Sequence, residues 1–71
     1  MERIFQFMEA RGLRVVEWYH DENYNIVVVV TMAGALTPFE QHLHILEDMA
    51  MEDLKLVVER ATVRLSLHCE F

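Results

Sequence analysis

Seventy-one residues suffice for one domain, 1–71, with no room for a second core, and a hydrophobic content of 54% is high for so small a body, which predicts a face covered by another copy or a partner. The formal net charge of −6, from six lysines and arginines against twelve acids, excludes the basic surface on which direct nucleic-acid binding rests and disfavours anionic membranes. The charges are also segregated: no lysine or arginine occurs between Arg14 and Lys55, and those forty residues hold Glu17, Asp21, Glu22, Glu40, Glu47, Asp48, Glu52 and Asp53.

Met1 to Arg11 puts Met1, Ile4, Phe5 and Met8 on one arc of a helical wheel with Glu2, Gln6 and Glu9 opposite, which predicts an amphipathic helix. Gly12 suits the left-handed position after its last turn. Leu13 to His20 is rich in β-branched and aromatic residues, Asp21 to Asn25 forms a polar turn, and Asn25 to Met32 contains four successive valines. These segments predict an antiparallel hairpin. Its second strand is apolar on both faces, with Ile26, Val28, Val30 and Met32 on one and Val27 and Val29 on the other, so it is expected inside the sheet.

Residues 33–36 form a connector. Thr37 can cap, Pro38 fits a first helical position and Glu40 completes a capping box, which predicts a helix starting at Pro38. Phe39, Leu43, Leu46, Ala50, Leu54, Val57 and Ala61 carry its apolar face onward at three- and four-residue steps, with Asp53 as a candidate break into two shorter helices. Thr62 to Phe71 alternates Val63, Leu65, Leu67, Cys69 and Phe71 with polar residues, as a strand with one buried face does. Leu54 to Val58 also reads as a strand, because 54–59 looks like 13–17, but no turn residue stands at Arg60-Ala61 and the helix is preferred.

The expected fold class is α+β, a small αββαβ domain in which an antiparallel hairpin and a third strand pack against two helices. Its element order resembles that of a ferredoxin-like domain lacking the first strand, a likeness of topology that carries no function. With both helices on one side, the open sheet face would carry Val27 and Val29, joined by Val15 and Tyr19. The second helix would add Ile45, Met49 and Leu56 off its core face. Val27, Val29, Ile45, Met49 and Leu56 are therefore the expected interface of a homodimer.

The longest nearly uninterrupted apolar run, Ile26 to Leu36, is about half of the roughly twenty residues a bilayer span needs. The N-terminus has no signal-peptide pattern, so a cytoplasmic location is expected. Cys69, the only cysteine, excludes an internal disulfide and falls in phase with the core, where it would be inert. On a helix His42 and His44 would point about 200° apart and could not share an ion, whereas Glu40 and Asp48 would each lie one turn from His44 as ion-pair partners. His68 and Cys69, adjacent on a strand, would face opposite ways. A composite metal site from His20, Asp21, Glu22 and His68 needs elements that the sequence does not bring together. No phosphate loop, nucleophile elbow or His-Glu-x-x-His motif occurs, so no catalytic residue, metal or cofactor is expected.

Trp18, Tyr19 and Tyr24 surround the hairpin beside Asp21 and Glu22, with Trp18 expected to fill the core and Tyr24 either to anchor a partner or to pack over the turn. The candidate partner-binding residues are Asp21, Glu22, Tyr24, Glu40, Glu47, Asp48, Glu52 and Asp53. They describe a non-enzymatic acidic interaction protein that binds and modulates or inhibits a basic protein or a nucleic-acid-binding protein. A sharper version is a nucleic-acid mimic of the kind used by phage-encoded inhibitors of host defence. The alternative is a dimeric small-ligand or metal-sensing regulatory domain.

Overall fold

The computed structural model describes residues 2–23, 25–36 and 39–70. Its elements run α1 (Glu2–Ala10), β1 (Leu13–His20), β2 (Ile26–Met32), β3 (Gln41–Ile45) and α2 (Met51–His68). The three strands form one antiparallel sheet in the order β1-β2-β3, and both helices contribute to a single core. The α+β class holds, as do two helices, three strands and the initial hairpin.

The last two elements exchange places. The segment expected to begin a long helix at Pro38 instead supplies β3, and the expected strand over 62–71 is the second half of α2, which reaches His68. The order is αβββα, and the likeness to a ferredoxin-like domain without its first strand falls with αββαβ. Thr37, Pro38, Met1 and Phe71 lie outside the described residues. The physical reason is an ambiguity of period. Leu54, Val58, Ala61 and Leu65 are the buried residues of α2 and continue one helical stripe, while Val63 and Leu67, which would share a strand face with Leu65, are exposed. Gln41 to Ile45 alternates strictly, with Leu43 and Ile45 buried and His42 and His44 exposed.

α1 ends where Gly12 takes φ +81°, and the Gly12 carbonyl then accepts from the Ala33 N–H at 2.9 Å, closing the base of the hairpin. Phe5 of α1 meets Trp18 of β1 at 5.9 Å between ring centroids, so Trp18 is a lid on α1 that remains half exposed rather than core filling. The core beneath the sheet joins Met8, Leu13, Val28, Val30, Leu43 and Ile45 to Leu54, Val58, Ala61 and Leu65 of α2. Beyond β2 the connector is tied to the chain end by the Leu36 N–H donating to the Glu70 carbonyl at 2.7 Å. Phe39 stacks on His68, 4.7 Å between centroids, and Cys69 is buried beneath it, its thiol 3.9 Å from the Phe39 carbonyl oxygen.

β1 contains a bulge. Val15 pairs with Val30 and Glu17 with Val29, so Val16 is an extra residue. Strict alternation from Leu13 would turn Glu17 and Tyr19 into the core. The extra residue shifts the phase, so that Leu13 and Val15 face the helices, Val16 and Glu17 follow one another on the outside, and Trp18 returns inward over Phe5. Val15 and Tyr19, expected together on the open face, are therefore on opposite faces.

The face away from the helices can be described as rows across the sheet. Tyr19, Val27 and His44 make one row, Glu17, Val29 and His42 the next, and Arg14 and Thr31 a third. Val27 and Val29 are only 1% exposed although no helix covers them. Each is a short side chain on the central strand between two taller ones on the edge strands, which shield it within a single copy.

Candidate partner interface

The sheet fixes where the acids lie. The β1–β2 turn holds Asp21 and Glu22, and Ile26 at the start of β2 pairs with Ile45 at the end of β3. The chain then turns through Leu46 to Met49, whose N–H donates to the Leu46 carbonyl at 3.1 Å, with Glu47 and Asp48 at the tip, and enters α2 with Glu52 and Asp53 in its first turn. Two turns and a helix N-terminus thus meet at one end of the molecule. Six of the eight mid-chain acids are gathered there. The distance of 3.8 Å between Asp21 Oδ2 and His44 Nδ1 bridges the two turns.

These carboxylates have different local duties. Asp21 builds its own turn: its Oδ1 accepts the Asn23 and Asn25 backbone N–H groups, each at 2.9 Å, so it is committed to the fold. Glu52 and Asp53 stand where the helix dipole favours negative charge, and no side chain caps Ala50 ahead of them. Glu22, Glu47 and Asp48 are exposed tips whose side chains make no hydrogen bond or ion pair with any described residue. Among the described residues the only ion pair is His44–Asp21, so no lysine or arginine lies within 4.0 Å of these acids. His44 pairs with Asp21 across the strands rather than with Glu40 or Asp48 along a helix.

Other candidates are placed elsewhere. Glu40 precedes β3 and lies at the opposite end of the sheet, near Arg14. Tyr24 is outside the described residues. Of the expected dimer residues, Val27 and Val29 are on the open face but shielded, Ile45 is core and has no surface to offer, Met49 is half-buried against the core, and Leu56 is exposed on α2. Sequence reading missed Val63 and Leu67, which share the outer side of α2 with Leu56. Val63 follows Leu56 by seven positions and Leu67 follows Val63 by four, and this helical spacing was the available signal, masked by assigning 62–71 to a strand.

His42 and His44, two apart on a strand, share one face, so the helical argument against their cooperation does not apply to β3. Among the described residues no three side chains of His, Cys, Asp or Glu come together as a metal site, and no helix is long and apolar enough to cross a membrane. Comparison with protein-family models, with curated proteins and with solved structures finds no match to this chain.

Proposed function

We propose that the chain is a non-enzymatic interaction protein whose acidic end docks on a basic macromolecular partner, most simply a nucleic-acid-binding protein, and modulates or inhibits it. One observation carries the reading: Glu22, Glu47, Asp48, Glu52 and Asp53, separated by up to thirty-one positions in sequence, converge on one end without a lysine or arginine paired to them. Unpaired carboxylates in such number repel one another and add little to stability beyond the helix-dipole contribution. A surface evolved for phosphates would supply the missing cations, and the pair would form by salt-dependent steering. The sharper version, mimicry of nucleic acid by an inhibitor of phage type, follows from the same chemistry. Self-association would use the outer side of α2, where Leu56, Val63 and Leu67 stand exposed, in place of the shielded valines.

The test is affinity capture at low and high salt, using the wild-type chain and a variant carrying Glu47→Gln, Asp48→Asn, Glu52→Gln and Asp53→Asn whose folding is verified by circular dichroism. The reading requires partners that elute with salt, are displaced by added DNA or RNA, and are lost with the variant. Capture that is indifferent to salt and to the four substitutions refutes it.

A further inference from the structure

β3 is an edge strand: β2 pairs with one side of it, and among the described residues nothing pairs with the other. Which backbone groups it leaves open follows from the ladder. The Ala33 N–H donates to the Gly12 carbonyl and the Asp21 N–H to the Asn25 carbonyl, and bonded pairs alternate in an antiparallel sheet, so Val27, Val29 and Thr31 turn their backbone groups to β1. Ile26, Val28 and Val30 turn theirs to Ile45, Leu43 and Gln41. His42 and His44 therefore aim their N–H and C=O groups away from the sheet, in position to bond a further strand. Native proteins blunt such edges with bulges, prolines or lysines. β1, the other edge, has the bulge at Val16, whereas Gln41–Ile45 keeps an unbroken register and holds neither proline nor lysine.

The floor beneath this edge selects what can lie along it. α2 packs more on β3 than on β2, and between it and the edge is a cleft of about 270 Å³ lined by Val57, Arg60, Ala61 and Arg64. Arg60 and Arg64 flank the buried stripe of α2 on that side and form no ion pair with any described residue. They stand one helical turn apart, about 6 Å along the axis, close to the roughly 6.8 Å between alternate residues of a strand. A strand added to β3 would turn every second side chain onto α2. Carboxylates two residues apart would then meet both guanidiniums, and an apolar residue two further on would cover Val57. We propose that the free edge of β3 binds an extended segment of a partner protein by strand addition, with acidic residues at two alternate positions followed or preceded by an apolar one. A second copy of this chain fits poorly there. Pairing two β3 edges about Leu43 would crowd the two α2 helices, whose axes need roughly 8–10 Å, and would set Arg60 against Arg60 of the other copy. The acidic end takes cations and this edge takes anions, so the site stands independently of the partner described above.

The experiment is fluorescence anisotropy of fluorescein-labelled Thr-Val-Thr-Glu-Thr-Glu-Thr-Val-Thr, whose pattern reads alike in both strand directions, titrated with the full chain. Saturable binding below about 1 mM protein is expected. Glutamines in place of the two glutamates should weaken the peptide by about fivefold or more, and proline in place of the central threonine, which removes a main-chain donor, by about tenfold or more. Arg60→Gln together with Arg64→Gln should erase the preference for glutamate over glutamine. His42→Pro keeps the pairing with β2, because the His42 N–H points outward, and should weaken the glutamate peptide by about fivefold or more. The protein carrying Glu47→Gln, Asp48→Asn, Glu52→Gln and Asp53→Asn should bind the peptide at least as tightly as the wild type, which separates this site from the acidic end. The inference is overturned if the glutamate peptide gives no saturable change up to about 1 mM protein, if the glutamate and glutamine peptides bind alike, if His42→Pro binds as the wild type does, or if the four substitutions at the acidic end abolish binding. It is equally overturned if sedimentation shows a dimer that His42→Pro dissociates, since the edge then belongs to a second copy.

Discussion

Replacing Thr31 with valine is expected to make the unliganded protein more stable. The substitution exchanges a hydroxyl for a methyl at almost constant volume in a β-branched residue that suits a central strand, so the backbone has no reason to move. The hydroxyl is buried and unpartnered, and such a group costs about 1–3 kcal/mol relative to an apolar one. Taking about 1–2 kcal/mol as the gain, and a urea slope of about 1 kcal/mol per molar for a small domain, the midpoint should rise by about 1–2 M. The melting temperature should rise by about 4–8 °C for each kcal/mol. Unfolding can be followed by the fluorescence of Trp18, the only tryptophan, which rests on Phe5 and reports separation of α1 from the sheet, in parallel with far-ultraviolet circular dichroism. Thr31→Ser is the control: it keeps the hydroxyl, loses one methyl and should destabilise by roughly 0.8 kcal/mol. A Thr31→Val protein that unfolds at or below the wild-type midpoint would mean that the hydroxyl has a partner in the folded protein, and would refute the reasoning.

Two further substitutions probe the part of the chain whose period is ambiguous. Leu65 is fully buried and Leu67 is 76% exposed, so Leu65→Ala should cost about 2–5 kcal/mol and Leu67→Ala less than about 0.5 kcal/mol. Similar losses at both positions in urea unfolding would restore the strand reading, in which the two share a face. Ala50 occupies the N-cap of α2 with extended φ −64° and ψ 147° and offers no side-chain acceptor, so Ala50→Ser should add about 1 kcal/mol. An unchanged thermal midpoint would show that α2 does not begin at Met51.

The first half of the fold was legible because local signals there agree with one another. Gly12 ends α1 where a left-handed residue is needed, and the run of valines in β2 could only be a strand covered on both sides. The second half carries two messages. Leu43 and Ile45 alternate with histidines over only five residues, too short to outweigh a capping pattern at Thr37-Pro38 and a helical spacing from Phe39 onward. In α2 the exposed Val63 and Leu67 imitate the apolar half of a strand. The convergence of Asp21 and Glu22 with Glu47, Asp48, Glu52 and Asp53 was out of reach because it depends on β3 running antiparallel to β2, which only tertiary structure sets.

The bulge at Val16 gives the outer strand slack. Leu13-Arg14-Val15 and Glu17-Trp18-Tyr19-His20 each alternate correctly, and the extra residue between them can be withdrawn without turning any side chain to the wrong side. A one-residue deletion at that point shortens the strand and leaves its inside and outside intact. β2 has no such reserve. It is paired on both flanks in unbroken register from Ile26 to Val29, so losing any residue there would drag neighbours on both sides out of phase. Tolerance to changes in length therefore belongs to the edge of the sheet, beside Arg14, and that edge is where the pattern of amino acids can drift while the central strand must stay the same length.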